Sequence, residues 1–473
     1  MVFSSAIFLF IFLPIVLILY YLLPNRCRNV LLLSASILFY TWGEPRFILI
    51  LLASITADYF IARAMHKRDD RTRKQWLILS VILNLGLLAY FKYANFFIEN
   101  VQHFYQLLDL EPFAWHKVAL PIGISFVTFQ KISYIVDVYR RDHEPQRRWD
   151  LLALYILMFP QLIAGPIIRY KDIVAQLQDR SAYDTAGNRM NGLFRFFVGL
   201  SKKVLIANVL AQQVDIIFAT APTDLATGTA WIGMLAYTLQ IYFDFSGYSD
   251  MALGLGRLFG FSFPENFNFP YISQNFTEFW RRWHITLGSW MKDYLYIPLG
   301  GNRISTRRTY FNLVVVFLLS GLWHGAAWTF VVWGLYHGFF LVLDKLGFKD
   351  LLRKTGRIPA TAITFLFVML GWVIFRSDSL TYAGAYLRRL FSFSCVADGI
   401  ILDARFITVL IAASLLAFSG LLRSIEQKAN ELFNRSHSRS GWITIALILL
   451  LLYVLNGSAL LAGGFNPFIY FRF

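Results

Sequence analysis

The chain has 473 residues, of which 57% are hydrophobic and only 15% are charged. Soluble domains usually carry about a quarter of their residues as charged groups. The apolar runs exceed what one water-soluble core could bury, so the composition excludes a soluble protein. The net charge of +16 does not indicate nucleic-acid binding, because the basic residues lie in short loops between apolar runs, as the positive-inside rule expects of a membrane protein.

The apolar spans predict an all-α, polytopic membrane protein with about 10–12 membrane helices, plus re-entrant and interfacial helices. The first span, residues 4–23, lacks the basic start and the cleavage site of a signal peptide, so we expect it to be retained. The later spans lie at 29–42, 46–62, 76–98, 117–138, 150–168, 192–218, 229–258, 309–323, 326–343, 359–375, 405–422 and 441–462. No hydrophilic stretch is long enough for a separate globular domain, which predicts a single membrane-embedded domain over residues 1–473.

The loops between the spans predict the orientation of the chain. Residues 26–28, 63–75 and 139–148 are basic, whereas residues 99–116 contain three acids and no Lys or Arg. Basic loops stay in the cytoplasm, which places the N-terminus outside. The same rule places 277–308, 344–358 and 423–440 inside, and the C-terminal tail then falls outside. Span 150–168 breaks at Gly165-Pro166 and is expected to be re-entrant.

Residues 264–310 are neither a clean span nor an ordinary loop. Aromatic residues alternate there with cations, including Arg281, Arg282 and Lys292. One interpretation is anchoring at the cytoplasmic interface, where aromatic side chains lie at headgroup level. The other is an entrance that attracts an anionic cofactor such as the phosphates of coenzyme A. Both remain open at the level of the sequence.

His324 lies within about 25 otherwise uncharged residues, at what should be membrane depth. Polar groups there usually face a cavity and indicate function, and a neutral imidazole is a good general base. Gly321 and the small residues after His324 permit close backbone approach. His337 lies thirteen residues later, about 140° away around a helix, and favours a structural role. His284, where the basic segment meets apolar sequence, is the second candidate.

Two carboxylates, Asp244 and Asp250, lie inside or near the span at 229–258. They could form a proton path or pair with cations, and Lys202 and Lys203 could neutralise one of them. The chain has only two cysteines, with no CxxC spacing, and no metal site is expected. Hydrolase and nucleotidase motifs are also missing.

Two motifs identify a family. FNFPYISQNFTEFWRRWHITLGSWMKDYLYIPLGGNR and LSGLWHGAAWTFVVWGLYHG resemble the membrane-bound O-acyltransferase (MBOAT) family, in its bacterial alginate O-acetyltransferase branch. FPQLIAGPIIRY in the middle and GGFNPFIYFRF at the end resemble the same branch. The resemblance implies a ring of helices around a thin centre, with funnels for donor and acceptor on opposite faces.

The resemblance also implies an activity. His324 would be the catalytic general base and His284 a second active-site residue that orients His324 or polarises the carbonyl. Trp323, with Trp280 and Trp283, could wall the tunnel. The donor would be cytoplasmic acetyl-coenzyme A, with no permanently bound cofactor, and a periplasmic acetyltransferase partner would finish the O-acetylation of an exported polysaccharide. The protein would be a multi-pass protein of the bacterial inner membrane.

Two alternatives remain from other classes. A secondary transporter would share broken helices and a basic cytoplasmic face, although no two-fold repetition is visible in the sequence. A scaffold of an exopolysaccharide export complex, without acyltransferase chemistry, would also fit. The sequence does not identify the polysaccharide.

Overall fold

The computed structural model describes residues 1–434, 437–462 and 467–469. The described residues are largely helical. Among them, strand-like pairing occurs at one place, an isolated antiparallel bridge between Phe267 and Trp283. The all-α prediction is confirmed. The chain divides into two compact units, of which the first comprises Met1–Asp184, Phe259–Phe263 and Gly325–Ala327. The second comprises Thr185–Leu258, Pro264–His324 and Trp328–Phe473. The single domain over residues 1–473 stays a prediction.

The first unit contains the N-terminal helices. Their bounds are α1 Leu13–Leu22, α2 Asn25–Gly43, α3 Ile48–Met65, α4 Asp70–Leu88, α5 Ala94–Leu107, α6 Ile124–Arg140, α7 Trp149–Leu157, α8 Phe159–Leu162 and α9 Tyr170–Gln178. A π-helical turn over Phe8–Phe12 precedes and extends α1. A second one, over Ala89–Tyr93, joins α4 to α5. The predicted span at 150–168 is interrupted at two places. One is the predicted break, because α8 ends at Leu162 and residues 163–169, with Gly165-Pro166, are not helical; the other is at Met158, between α7 and α8.

The second unit contains the remaining helices. Their bounds are α10 Ala186–Ser201, α11 Asn208–Ala219, α12 Thr227–Leu258, α13 Phe276–Arg282, α14 Ile285–Met291, α15 Thr306–His324, α16 Trp328–Lys345, α17 Phe348–Thr355, α18 Arg357–Arg376, α19 Leu380–Leu390, α20 Ala404–Phe418, α21 Arg423–Leu432 and α22 Arg439–Ala462. π-helical turns over Lys202–Ala207 and Lys292–Tyr296 follow α10 and α14, and short 3₁₀ turns cover Pro222–Asp224, Pro270–Ile272 and Ser419–Leu421. The predicted interfacial segment 264–310 therefore forms short helices rather than a span.

Five helices of the described chain are long and apolar enough to cross a membrane. They are Ile48–Met65, Asp70–Leu107, Arg357–Arg376, Ala404–Leu421 and Arg439–Ala462. A sixth is possible if Trp328–Lys345 and Phe348–Thr355, bent by 74°, count as one span. The sequence-based count of 10–12 also included apolar segments that the structure shortens or breaks, and the apolar helix Phe8–Leu22 is one of the shorter ones. Most of the predicted spans nevertheless coincide with a helix.

Glycine pairs let the helices of the second unit approach closely. A Cβ on Gly199 of α10 would lie 2.5 Å from the carbonyl oxygen of Gly247 on α12, and one on Gly247 would lie 2.8 Å from the oxygen of Gly199. Because these residues lack a side chain, the two backbones can contact each other directly. α12 is buried along most of its 32 residues and forms the centre of this unit.

Candidate functional site

His284 is fixed by local backbone pairing between two segments of the second unit. The bridge between Phe267 and Trp283 aligns residues 266–268 with residues 282–285. The backbone N–H of Ile285 donates a hydrogen bond to the backbone carbonyl oxygen of Asn266 at 3.0 Å. His284 itself has a left-handed backbone with φ of 47°, a conformation that His tolerates better than most side chains. The turn between α13 and α14 therefore directs this imidazole inward, and the residue is 1% exposed.

The helix that precedes His284 begins with a reciprocal cap. The side chain of Asn275 accepts a hydrogen bond from the backbone N–H of Glu278 at 2.8 Å, and the carboxylate of Glu278 accepts one from the N–H of Gln274 at 3.0 Å. Such caps satisfy backbone donors that a helix start would otherwise leave without partners. The cap fixes where α13 begins and thus where its last turn delivers Trp283 and His284.

A buried polar network orients the ring of His284. Its Nδ1 lies 3.0 Å from Oδ1 of Asn266. That oxygen also accepts from the hydroxyl of Thr286 at 2.9 Å, while Nδ2 of Asn266 donates to the hydroxyl of Ser249 at 3.0 Å. Because Oδ1 can only accept, the network assigns the ring proton to Nδ1. Nε2 is then the basic nitrogen, and it has no hydrogen-bond partner among the described residues.

Burial keeps the imidazole of His284 uncharged. Desolvation lowers its pKa from 6.5 to about 3. A neutral ring with an open Nε2 lone pair can accept a proton or a hydrogen bond. It cannot donate from Nε2, so polarisation of a carbonyl by this nitrogen, one of the two roles that the resemblance implied, does not fit the network.

His324 ends α15 in an aromatic cluster of the same unit. Its ring centroid lies 4.8 Å from Trp323, 5.1 Å from Trp333 and 5.3 Å from Phe375. Trp323 also lies 6.1 Å from the ring of His284. The structure therefore brings both predicted histidines next to one tryptophan, although they are forty positions apart in the chain.

Close packing of α15 against α16 sets the position of His324. A Cβ on Gly321 would lie 2.2 Å from the backbone oxygen of Phe330, and one on Gly334 would lie 2.4 Å from that of Phe317. Any larger side chain would push the helices apart. Gly321, which the sequence indicated, and Gly334, which it did not, thus let the two backbones approach closely.

His337 joins the same cluster from α16. It is fully buried, with ring centroids 4.9 Å from Trp280 and 4.8 Å from Trp333. Neither ring nitrogen has a hydrogen-bond partner among the described residues. Its aromatic surroundings agree with the structural role expected of it.

A cavity of about 980 Å³ opens beside His284. His284, Trp280 and Ser320 line it together with basic side chains, and none of the described lining residues is acidic. The basic residues are Arg281, Lys292, Arg303 and Lys345. A site with several cations and no carboxylate attracts anions. Ser320 lies one helical turn before His324 on α15, but His324 itself does not line this cavity.

Two of the predicted cofactor-binding residues lie elsewhere in this unit. Arg282 does not line the cavity; it pairs with Glu278 at 2.9 Å and with Glu426 at 2.6 Å. Burial alone would lower the pKa of its guanidinium, but the two carboxylates raise it above the ordinary value. Trp323 packs near both histidines and also does not line the cavity. The structure thus joins Arg281 and Lys292, but not Arg282 or Trp323, to the basic cavity.

A second cavity, of about 660 Å³, is lined by Asn266 but not by His284. Asn266 and Ser249 line it, and Ile285 lines both cavities. Its charged lining residues are balanced, with Arg195 and Lys202 against Asp250 and Glu265. Arg195 bonds to Asp250 at 2.8 Å, and Lys202 lies 2.6 Å from the same carboxylate. The expected neutralisation of a carboxylate by Lys202 or Lys203 is confirmed.

Sequence reasoning missed Asn266, Ser249 and Thr286. Asn266 immediately precedes the first histidine motif, and a polar residue among aromatic neighbours could have drawn attention to it. Ser249 and Thr286 gave no signal, because isolated hydroxyls are common on packed helices. The described residues contain no group of three or more His, Cys, Asp or Glu side chains that could hold a metal ion.

Comparisons with known proteins agree with the motifs. Residues 47–383 match the sequence profile described as the membrane-bound O-acyltransferase family, MBOAT. The chain is 43% identical over its whole length to the probable alginate O-acetylase AlgI of Azotobacter vinelandii, and 46% identical over its whole length to that of Pseudomonas putida, each relative also being covered completely. It is 39% identical to the peptidoglycan O-acetyltransferase of Helicobacter pylori, with 81% of this chain and 78% of the relative covered.

Proposed function

Because this chain belongs to the membrane-bound O-acyltransferase family, and is therefore a multi-pass membrane acyltransferase, we propose that it moves acetyl groups from cytoplasmic acetyl-coenzyme A to an exported polysaccharide. A separate periplasmic acetyltransferase completes the transfer outside. The membrane is the bacterial inner membrane. The names of the relatives, which specify alginate and peptidoglycan, support a glycan acceptor.

The observation that carries this proposal is that His284, whose buried Nε2 has no hydrogen-bond partner among the described residues, lines a basic cavity. Coenzyme A carries several negative charges on its phosphates, which suit Arg281, Lys292 and their basic neighbours. The positive-inside rule places residues 277–308 in the cytoplasm, the compartment that contains acetyl-coenzyme A. The cavity volume of about 980 Å³ lies at the upper end of the usual range for ligand sites.

The chemistry requires one proton to move. The hydroxyl oxygen of the acceptor attacks the thioester carbonyl carbon while an imidazole takes the hydroxyl proton. The carbon–sulfur bond then breaks, and the same proton passes to the departing thiolate, which gives free coenzyme A and an acetyl ester of this first acceptor. The periplasmic acetyltransferase then transfers the acetyl group from this ester to the polysaccharide, which restores the hydroxyl of the first acceptor. His324 acts as this base, as its motif implies, and general-base assistance accelerates such steps by about 10²–10⁴-fold. His284, with Nε2 as an acceptor, orients the hydroxyl.

Apolar walls protect the thioester. His324 is surrounded by Trp323, Trp333 and Phe375. These rings exclude water from the imidazole, and water would otherwise compete as the acceptor. An aromatic enclosure around the base therefore favours transfer over hydrolysis.

The test is the release of coenzyme A from acetyl-coenzyme A by the protein in lipid nanodiscs, with and without polysaccharide acceptors. His324→Ala and His284→Ala are compared with the wild type and with His103→Ala, which changes an exposed histidine outside the site. We expect turnover to fall by at least 10²-fold in His324→Ala, and to be unchanged in His103→Ala. Unchanged turnover in His324→Ala would remove it as the base, and failure of acetyl-coenzyme A to bind the wild type would reject the donor.

A further inference from the structure

Lys203 and Asp244 form a buried ion pair away from the two cavities. Nζ of Lys203 lies 2.6 Å from Oδ1 of Asp244, and the two side chains are 5% and 2% exposed. Lys203 belongs to the π-helical turn after α10, and Asp244 lies in the middle of α12. Burying such a pair is costly unless further hydrogen bonds satisfy both groups.

The far end of the chain supplies those hydrogen bonds. The backbone N–H of Ile469 donates to Oδ2 of Asp244 at 2.7 Å. Nζ of Lys203 donates to the backbone oxygen of Pro467 at 3.2 Å. The ion pair therefore hydrogen-bonds to the backbone of residues 467–469 at two points, more than 200 positions away in the sequence.

Residues 467–469 are linked to His284 through contacts between aromatic rings. Phe468 is 3% exposed, and its ring lies 4.8 Å from Tyr248 and 5.9 Å from Phe245. The ring of Phe245 stands perpendicular to the imidazole of His284, with 4.7 Å between centroids. Phe245 thus packs against both His284 and Phe468. A shift of residues 467–469 would remove the contact of Phe468 with the ring that packs against His284.

We propose that Lys203 and Asp244 are positioning residues that clamp residues 467–469 against Phe245 and thereby fix the wall of the His284 site. The clamp itself needs no assumption about the reaction, whereas its effect on turnover rests on the proposed function. The neighbouring Lys202 pairs with Asp250 on α12 instead. Of the two adjacent lysines, only Lys203 therefore contacts residues 467–469.

The first measurement is the accessibility of residue 469. Ile469→Cys is placed in a background with Cys27→Ser and Cys395→Ser, and its labelling by N-ethylmaleimide is timed. The substitution keeps the backbone N–H that donates to Asp244. We expect slow labelling with the clamp intact and labelling faster by about tenfold or more with Lys203→Met, because a hydrogen bond to a charged group shifts a local opening equilibrium by about that factor.

A double variant guards against misfolding. Lys203→Met alone leaves the Asp244 carboxylate buried without its cation, which is strongly destabilising. Lys203→Met combined with Asp244→Asn removes both charges and should fold better. The matched control is Asp215→Asn, which breaks the 3.1 Å pair with Arg376 in the same unit but does not contact residues 467–469. Only the clamp variants should speed the labelling of residue 469.

The second measurement separates positioning from general stability. In the double variant we expect kcat to fall at least fivefold with an unchanged KM for acetyl-coenzyme A, because the basic cavity does not contain the clamp. Labelling that stays slow in both clamp variants would overturn the proposal, as would faster labelling with unchanged kcat. If the wild type shows no turnover, the proposed function fails, but the labelling experiment still decides whether the clamp exists.

Discussion

His284 and Asn266 share a buried hydrogen bond of 3.0 Å between Nδ1 and Oδ1, and the two residues line different cavities. The cavity at His284 is basic, whereas the charged residues that line the cavity at Asn266 balance. Asn266 therefore selects the ring tautomer of His284 and also lines the second cavity.

The first prediction concerns this partner. In Asn266→Leu, Nδ1 of His284 loses its acceptor and the ring loses its orientation, so kcat should fall by about 10–100-fold, as happens when outer partners of metal-bound histidines are removed. The measurement is coenzyme A release under saturating donor. A variant with wild-type kcat would show that the hydrogen bond has no part in turnover.

Asn266→Asp serves as the companion variant. A carboxylate at this position keeps the acceptor for Nδ1 and favours the protonated imidazolium, which raises the pKa of His284 from about 3. Once protonated, Nε2 can no longer accept the hydrogen bond that orients the hydroxyl of the acceptor. The acid limb of the pH–rate profile should therefore move to higher pH than in the wild type. An unmoved acid limb would contradict the role given to Nε2.

The second prediction concerns stability and pH. The pKa of His284 is depressed from 6.5 to about 3 in the folded state, so the unfolded chain binds the extra proton more readily. The stability that the neutral, buried ring of His284 contributes is present above pH 6.5 and is lost as the pH falls below that value. Between pH 7.5 and pH 5 the loss should be about 2 kcal/mol.

This loss can be measured by comparing thermal unfolding of the wild type with that of His284→Gln across the same pH range in detergent. The variant has no group to protonate at this position, so its apparent Tm should fall less steeply toward pH 5. Parallel slopes for the two proteins would indicate that His284 is not buried as a neutral ring.

The third prediction concerns the basic cavity. Lys292→Gln and Arg281→Gln should each raise the KM for acetyl-coenzyme A by about two- to fivefold, since exposed charge pairs contribute up to about 1 kcal/mol. The effect should shrink at high salt, which screens such charges. Steady-state kinetics at two ionic strengths provide the measurement.

Two arginines provide controls for the cavity variants. Arg307→Gln removes an exposed cation of the same segment that does not line the cavity, so its KM should stay at the wild-type value. Arg282→Gln breaks the pairs with Glu278 and Glu426 and should lower the thermal stability instead. If Arg307→Gln raised KM as much as Lys292→Gln, net charge rather than the cavity would explain the effect.

The fourth prediction concerns the contact between α15 and α16. Gly334→Ala would place a Cβ 2.4 Å from the backbone oxygen of Phe317. We expect a loss of stability of about 1–3 kcal/mol from overpacking. In Gly384→Ala, on α19, the new Cβ meets nothing within 4 Å, and the better helix propensity should leave stability equal or slightly higher. Equal Tm values for the two variants would contradict the close packing.

The sequence by itself determined the class of protein and its family. Apolar spans of membrane length require helices, because a bilayer leaves backbone polar groups no other partners, and the two motifs identified the family and predicted His324 and His284 as site residues. The sequence anticipated the non-helical stretch at Gly165-Pro166 but not the earlier break at Met158. Glycine and proline are only the strongest local breakers, and other breaks depend on neighbours that the sequence does not show.

Only the tertiary structure decided which residues meet. Trp323 packs near both His284 and His324, and Asn266 rather than a charged group orients His284. Arg281 and Arg282 are adjacent in the chain, yet one lines the basic cavity and the other pairs with two carboxylates. Sequence patterns report local periodicity and composition, whereas these contacts depend on helix packing, which sets distances between residues far apart in the chain.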